Sequence, residues 1–423
     1  MRILIIIIFL SSFVACSTKQ QVLQAAKQNI KELTSDKFHG RGYKHNGVKI
    51  AENFIINQYI EIGLIPVYPN YQQEVIFPIN IIESSQLKIN NINKEFGADY
   101  LIAPNSESDE ISASLFYIPD NLFDFSMQDG KETFRLLSLN KDNIPLLDFR
   151  NATDSLKQKM FAFSNYLDQE KNHYNFPAIV HVHDKLIHGV SSHQDNFNHV
   201  FLTEKPEEGS KLDLKIEAEL NKNFLSHNIV GKIKGTKSDS AIFVMAHYDH
   251  LGQVNQTIFP GANDNASGMS MLLELAKYFK SHPPEIDVYF YAMTGEEVGL
   301  KGAFKAAKNL PLPKEKIRFI VNLDMVGTGD DGIQVVNSSI YTNEYNLLKE
   351  INQEQKFLKQ IKLRGAACNS DHCPFHQLEV PSFFIYTLGG ISEYHNPLDK
   401  PETLPLTEYY NLYQLLIHFI KKL

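Results

Sequence analysis

The stretch SAIFVMAHYDHLG, residues 240–252, runs from an apolar segment straight into polar chemistry. Ala241 to Ala246 carry no polar side chain, and HYDHLG follows, with His247 and Asp249. An apolar run this short fits a strand buried on both faces, as in the middle of a parallel sheet. In open sheets of that kind, ligands bind beyond the carboxyl ends of the strands. The stretch therefore sets both an architecture and a place to look for a site.

The rhythm around it agrees. From 221 to 423 the chain alternates strand and helix. HNIVGKIKG, IDVYFYAM, IRFIVNLDM and PSFFIYTLG read as strands. SGMSMLLELAKYFKSH reads as a helix opened by Ser267, with Met271, Leu272, Leu275 and Phe279 on its apolar face. GLKGAFKAAKNL, YNLLKEINQEQKFL and TEYYNLYQLLIHFIKKL read as further helices. Such alternation implies an α/β fold: a mixed, mostly parallel central sheet covered by helices on both faces. Residues 17–75 read as helical, with apolar residues at three- and four-residue spacing on either side of the glycine-rich loop HGRGYKHNG. Residues 76–220 lose that rhythm. Short β-type runs such as SASLFYI and AIVHVH alternate with polar stretches, which reads as a β-rich inserted lid domain.

The 423 residues suffice for one large domain plus an insertion, or for two domains, and 43% hydrophobic content supports a sizeable core. A net charge of −8 argues against nucleic acid as a partner, because phosphate contact needs a basic face. The first residues, MRILIIIIFLSSFVACSTK, place one Arg before an apolar run and then small residues and Cys16. That run is shorter than the ~20 residues a membrane span needs and has the layout of an export signal. FVAC resembles a bacterial lipobox, with Phe13 in place of the usual leucine. Residues 1–16 are thus expected to be a signal peptide, with Cys16 lipidated. The protein is expected to be exported and held at a bacterial membrane, periplasmic or on the cell surface, by that anchor alone. Cys368 and Cys373 remain, close enough in sequence for a small disulfide loop or for two buried thiols.

The ends of the expected strands carry the chemistry. His247 and Asp249 follow the first, and Asp264 sits in GANDNASG before the first helix. Glu296 and Glu297 follow IDVYFYAM, Asp324 ends IRFIVN, and His395 lies beyond PSFFIYTLGG. Each residue alone has an ordinary explanation, such as a turn or a helix start. Five segments delivering His, Asp or Glu to one sheet edge do not. Two imidazoles and several carboxylates suit borderline cations such as Zn²⁺. With one carboxylate shared, they suit a pair of ions ~3.5–4 Å apart.

AHYDHLG, GANDNASG, TGEEVGLKGA, NLDMVG, SDHCPF and YHNPLDKPE occur in this order. Together they resemble the co-catalytic zinc exopeptidases, a family that includes secreted bacterial aminopeptidases and glutamate carboxypeptidases. The motifs cover about 150 residues, and SDKFHGRGYKHNGVKIAENFIINQYIEIGLIPV is similar to that family's N-terminal segment. The middle zone sits where many members carry a protease-associated lid. The resemblance implies two zinc ions and a peptide substrate. His247 and Asp324 would hold one ion, Glu297 and His395 the other, with Asp264 bridging. Asp249 would orient the His247 imidazole. Glu296 would be the general base, taking a proton from the attacking water and passing it to the leaving amine. Adjacent glutamates at a strand-to-loop junction aim apart, which separates the two roles. Tyr394 would donate to the tetrahedral oxyanion. Asp371 and His372 match a motif near the family's substrate pocket.

The expected activity is a zinc-dependent exopeptidase, an aminopeptidase first. The alternatives are a glutamate-carboxypeptidase-like enzyme, a glutaminyl cyclase, or a catalytically dead binding lipoprotein. The cyclase pocket is typically tryptophan-lined, and this chain has no Trp. A dead relative would show broken ligands, and none of the five positions is broken. His181 and His183 of HVHD share a strand face, which is read as polar surface and not as a second metal site. GTGDDG, 327–332, is read as a turn and not as a phosphate cradle.

Overall fold

The computed structural model describes residues 2–123, 129–237 and 239–423, with the side chains of 2–17, 129–130 and 170–172 left out of the description. The reading of 1–16 as a signal, and of Cys16 as its lipidated residue, lies outside the described residues. The chain divides into two compact units. One comprises 1–77, 225–252 and 259–423; the other comprises 78–224 with 253–258.

The larger unit is built on a mixed sheet. Its order is Ile361–Leu363, Ile333–Val336, Ser382–Thr387, Ile317–Leu323, Ala241–His247, Asp287–Met293, the end of Lys211–Ile233, then Ile65–Pro66. The four strands from Ser382–Thr387 to Asp287–Met293 run parallel to one another. Antiparallel pairings flank them on both sides. Ala241–His247 is central, and all seven of its residues are buried, as its apolar run requires.

Successive side chains on a strand point to opposite faces. Phe243 and Met245 belong to a core shared with Ala303, Ala306 and Phe375, contributed by the helices Lys301–Lys308 and Cys373–Gln377. The Phe243 ring lies 5.1 Å from that of Tyr289 and 4.9 Å from that of Tyr291. The helix Gly268–Ser281 packs on the sheet with Met271, Leu272, Leu275 and Phe279 fully buried. The N-terminal helices, Arg2–Leu33 and Gly47–Ile62, contact it in turn.

Ser267 does not cap that helix. It already has helical backbone angles at the end of a π-helical turn, Ala262–Ser267. Its hydroxyl donates back to the carbonyl of Asn263 (2.7 Å) and accepts the N–H of Val326 (2.9 Å).

The register levels the sheet's working edge. His247 pairs with Met293, Met245 with Asn322, and Leu323 with Ile385. The carboxyl ends of four parallel strands therefore finish together. The expectation that their following residues meet has a structural basis in this alignment.

The second unit is strand-built but also contains two helices, Asp129–Leu139 and Asp154–Tyr174. Its strands Asp109–Tyr117, Ile144–Asp148, Ala178–Val182 and Asn198–Leu202 are parallel neighbours. The longer helix was legible: Leu156, Met160, Phe163 and Leu167 recur at four- and three-residue spacing, and the last three are fully buried. Its many charged residues hide that stripe.

Candidate active site

Each candidate side chain sits where its strand ends. His247 is the last residue of its strand, and Asp324 directly follows Leu323. Glu296 and Glu297 come three and four residues after Met293, in a turn closed by the Gly299 N–H on the Glu296 carbonyl (2.9 Å). Asp264 lies in the turn before Gly268–Ser281, and His395 lies in the loop after Ser382–Thr387.

The structure brings these together. Asp264 divides its two oxygens: Oδ1 is 3.3 Å from His247 Nε2, and Oδ2 is 3.0 Å from His395 Nε2. His247 Nε2 is also 3.4 Å from Asp324 Oδ1, and His395 Nε2 is 3.2 Å from Glu297 Oε2. Two clusters of ligand atoms result, each with all atoms within 4.8 Å of one another: His247, Asp264 and Glu297, and His247, Glu296 and Asp324. Glu296 is thus near enough to compete as a ligand.

The donor set fits cations. His247 Nε2 is buried and has no hydrogen-bond partner, although carboxylate oxygens face it. Among the described residues, the ion-pair partners of Asp264, Glu297 and Asp324 are all histidines. Buried carboxylates in this number need positive charge among them.

The protein's own field splits the glutamate pair. Burial pushes the Glu296 carboxyl well above its ordinary range; Asp324 and Asp371 add to this while His247 opposes it. Burial also disfavours charge on Glu297, but His395 and His250 outweigh it and hold that carboxyl down at about 2. The two neighbouring carboxyls are thus pushed in opposite directions. For Asp264 too, burial is outweighed by His247 and His395, which hold it well below the usual range.

Asp249 meets the His247 imidazole through its backbone. His247 Nδ1 lies 3.2 Å from the Asp249 backbone carbonyl, but 3.9 Å from its carboxylate. That carboxylate accepts the Tyr43 hydroxyl (2.6 Å) and the N–H groups of Glu296 (3.3 Å) and Glu297 (3.4 Å). It therefore seats the two-glutamate turn. Asp371 and His372 are fully buried, and neither Asp371 oxygen has a hydrogen-bond partner. Tyr394 is 39% exposed and stacks on His395 with centroids 3.8 Å apart. Burial, with the field of Asp264 and Glu297, keeps its hydroxyl protonated well beyond neutral pH. Cys368 and Cys373 form a disulfide with Cα atoms 4.8 Å apart.

Several site residues escaped the sequence reading. His250 is fully buried, and its Nδ1 meets the second oxygen of Glu297 at 2.6 Å. Ser370 donates to Asp324 Oδ2 (2.8 Å) and accepts from Asn322 (2.8 Å). The available signal was membership of the motifs: His250 in AHYDHLG, Ser370 in SDHCPF.

A mostly parallel sheet with histidines and carboxylates gathered at its carboxyl edge is an arrangement suited to metal-assisted hydrolysis. Residues 228–420 match the model of peptidase family M28. Aminopeptidase YwaD of Bacillus subtilis is 33% identical over 215 residues, which are 47% of this chain and 46% of that protein. A probable zinc metalloprotease of Pyrenophora tritici-repentis is 35% identical over 113 residues, 25% of this chain and 23% of that protein. The chain thus spans less than half the length of these relatives. In fold it is similar to BSAP, a zinc aminopeptidase from Bacillus subtilis (TM-score 0.68, 20% identity, 94% of both chains). It is also similar to a peptidase M28 precursor from Shewanella amazonensis (TM-score 0.65, 16% identity, 95% of this chain and 96% of that one).

Proposed function

We propose that the chain is a zinc-dependent exopeptidase, an aminopeptidase, carrying two zinc ions. The observation that carries this reading is the division of Asp264 between His247 and His395. His247 and Asp324 would hold one ion, Glu297 and His395 the other, and Asp264 both. Zinc, when bound, polarises a carbonyl and acidifies water. The chain's own groups do the rest. The Glu296 carboxylate accepts the proton of the attacking water and returns it to the leaving amine. His250 holds one oxygen of Glu297, leaving the other directed at His395. The protonated Tyr394 hydroxyl is a donor for developing negative charge.

The chain is also proposed to work outside the cytoplasm, lipid-anchored through Cys16. The Cys368–Cys373 disulfide supports an oxidising compartment. Among the described residues, no helix is long and apolar enough to cross a membrane. Membrane association that vanishes in Cys16→Ser checks the anchor.

The activity test is a panel of aminoacyl p-nitroanilides, N-blocked dipeptides and N-glutaminyl peptides. It is run before chelation, after chelation, and after zinc is restored. Chelator-sensitive, zinc-restored cleavage confined to free amino termini is expected. Turnover of N-blocked dipeptides would make the protein a carboxypeptidase, and ring closure on glutaminyl peptides would make it a cyclase. Zinc binding without any turnover would make it a binding protein.

A further inference from the structure

Two fully buried charges, Arg41 and Asp399, take no part in the reaction as described. A guanidinium has five N–H donors, and all five here find backbone carbonyls. Nε donates to Tyr248 (2.9 Å), and Nη1 to Leu33 (3.0 Å) and Pro260 (2.7 Å). Nη2 donates to Gly261 (2.8 Å) and to Asp264 (3.3 Å). Asp399 takes the opposite polarity. Its Oδ1 accepts the N–H of Asn263 (2.8 Å), its Oδ2 that of Asp264 (3.0 Å), and its own carbonyl that of Ala262 (3.0 Å).

One five-residue segment, 260–264, is thus held by its carbonyls from one side and its N–H groups from the other. That segment ends in the carboxylate divided between the two imidazoles. The grip also reaches the neighbouring loops. Arg41 binds Tyr248 by side chain and accepts the His250 N–H on its own carbonyl (3.1 Å), next to His247. Asp399 lies four residues beyond His395, and its N–H bonds the Asn396 carbonyl (3.2 Å). Gly261 completes the fit: it has φ +60, and a Cβ there would stand 2.7 Å from Arg41 Nη2 and 2.2 Å from the Asp264 carbonyl oxygen.

Burying a charge is costly unless it is fully hydrogen-bonded. A loop of this length could be held by turns and apolar packing, so two buried ions that converge on it need a purpose. We propose that Arg41 and Asp399 are positioning residues for the metal centre, presetting Asp264 in its divided pose before any ion arrives. The inference rests on the zinc reading of the site. Pre-organisation of this kind raises affinity because the cost of ordering the loop is not taken from binding.

The test uses the full chain stripped of metal by chelator. Hydrogen exchange of the metal-free wild type should show the Asn263 and Asp264 amides protected like those of Ala241–His247, in the most stable part of the fold. Asp399→Asn should lose protection at 262–264 alone. Its zinc affinity, read by competition with a chromophoric chelator, should fall about 10–100-fold, as when partners of metal-binding groups are removed. Its KM at saturating zinc should stay unchanged. Arg41→Lys, with three donors for five acceptors, carries the same expectation if the first variant does not fold. The proposal is overturned if the wild-type amides become protected only on adding zinc. It is equally overturned if either folded variant binds zinc like the wild type. A wild type that binds no zinc would count against the proposed function, whereas the exchange result bears on the clamp alone.

Discussion

Replacing Glu296 by Gln tests the proposed separation of the base from the ligands. The amide keeps the volume of the side chain, and the Glu296 N–H keeps its bond to Asp249. What disappears is a proton acceptor beside His247 and Asp324. Positioned general bases contribute about 10²–10⁴-fold, so kcat should fall by that factor, equivalent to about 3–5 kcal/mol of barrier. The fold should not suffer. Burial raises the Glu296 carboxyl in the native state. An acid whose folded pKa is raised destabilises the fold increasingly as pH climbs from its unfolded to its folded value. A neutral amide removes that penalty, so the metal-free variant should melt at or above the wild type at neutral pH. Zinc per chain, measured by elemental analysis after dialysis, should equal that of the wild type. Normal turnover of aminoacyl p-nitroanilides would sink the assignment of the base. Zinc lost together with activity would show that Glu296 is a ligand, which its proximity to His247 and Asp324 permits.

Three further outcomes follow from the geometry. His250→Ala leaves one oxygen of Glu297 without its donor; zinc affinity should drop about 10–100-fold, and unchanged chelator competition would refute the role. Gly261→Ala places a Cβ at φ +60 against the Asp264 carbonyl oxygen; a non-glycine residue in that conformation costs about 1–3 kcal/mol before the clash is counted, readable as a lowered urea midpoint. Cys373→Ser opens the loop closed by the bond to Cys368; chain entropy for so short a loop is worth about 2 kcal/mol, and equal unfolding free energies under non-reducing conditions would contradict it.

The sequence by itself determined the larger unit's plan and the address of its site. Strands buried on both faces must be apolar, so AIFVMA, DVYFYAM and IRFIVNL announce themselves. Parallel strands bring their carboxyl ends to one edge, so His247, Asp264, Glu296, Glu297, Asp324 and His395 could be gathered before any distance was known. The helix Asp154–Tyr174 was written just as plainly, but its charged residues mask the stripe from Leu156 to Leu167. What only the tertiary structure decided is which atoms meet across the chain. The Tyr43 hydroxyl reaches Asp249 over 206 residues, and Arg41 reaches Asp264 over 223. Asp249 proved to seat the glutamate turn through its carboxylate and His247 through its carbonyl. Periodicity and spacing encode contacts within one element, because the backbone repeat fixes them. Hydrogen bonds between distant loops depend on how whole elements pack, and no local pattern records that.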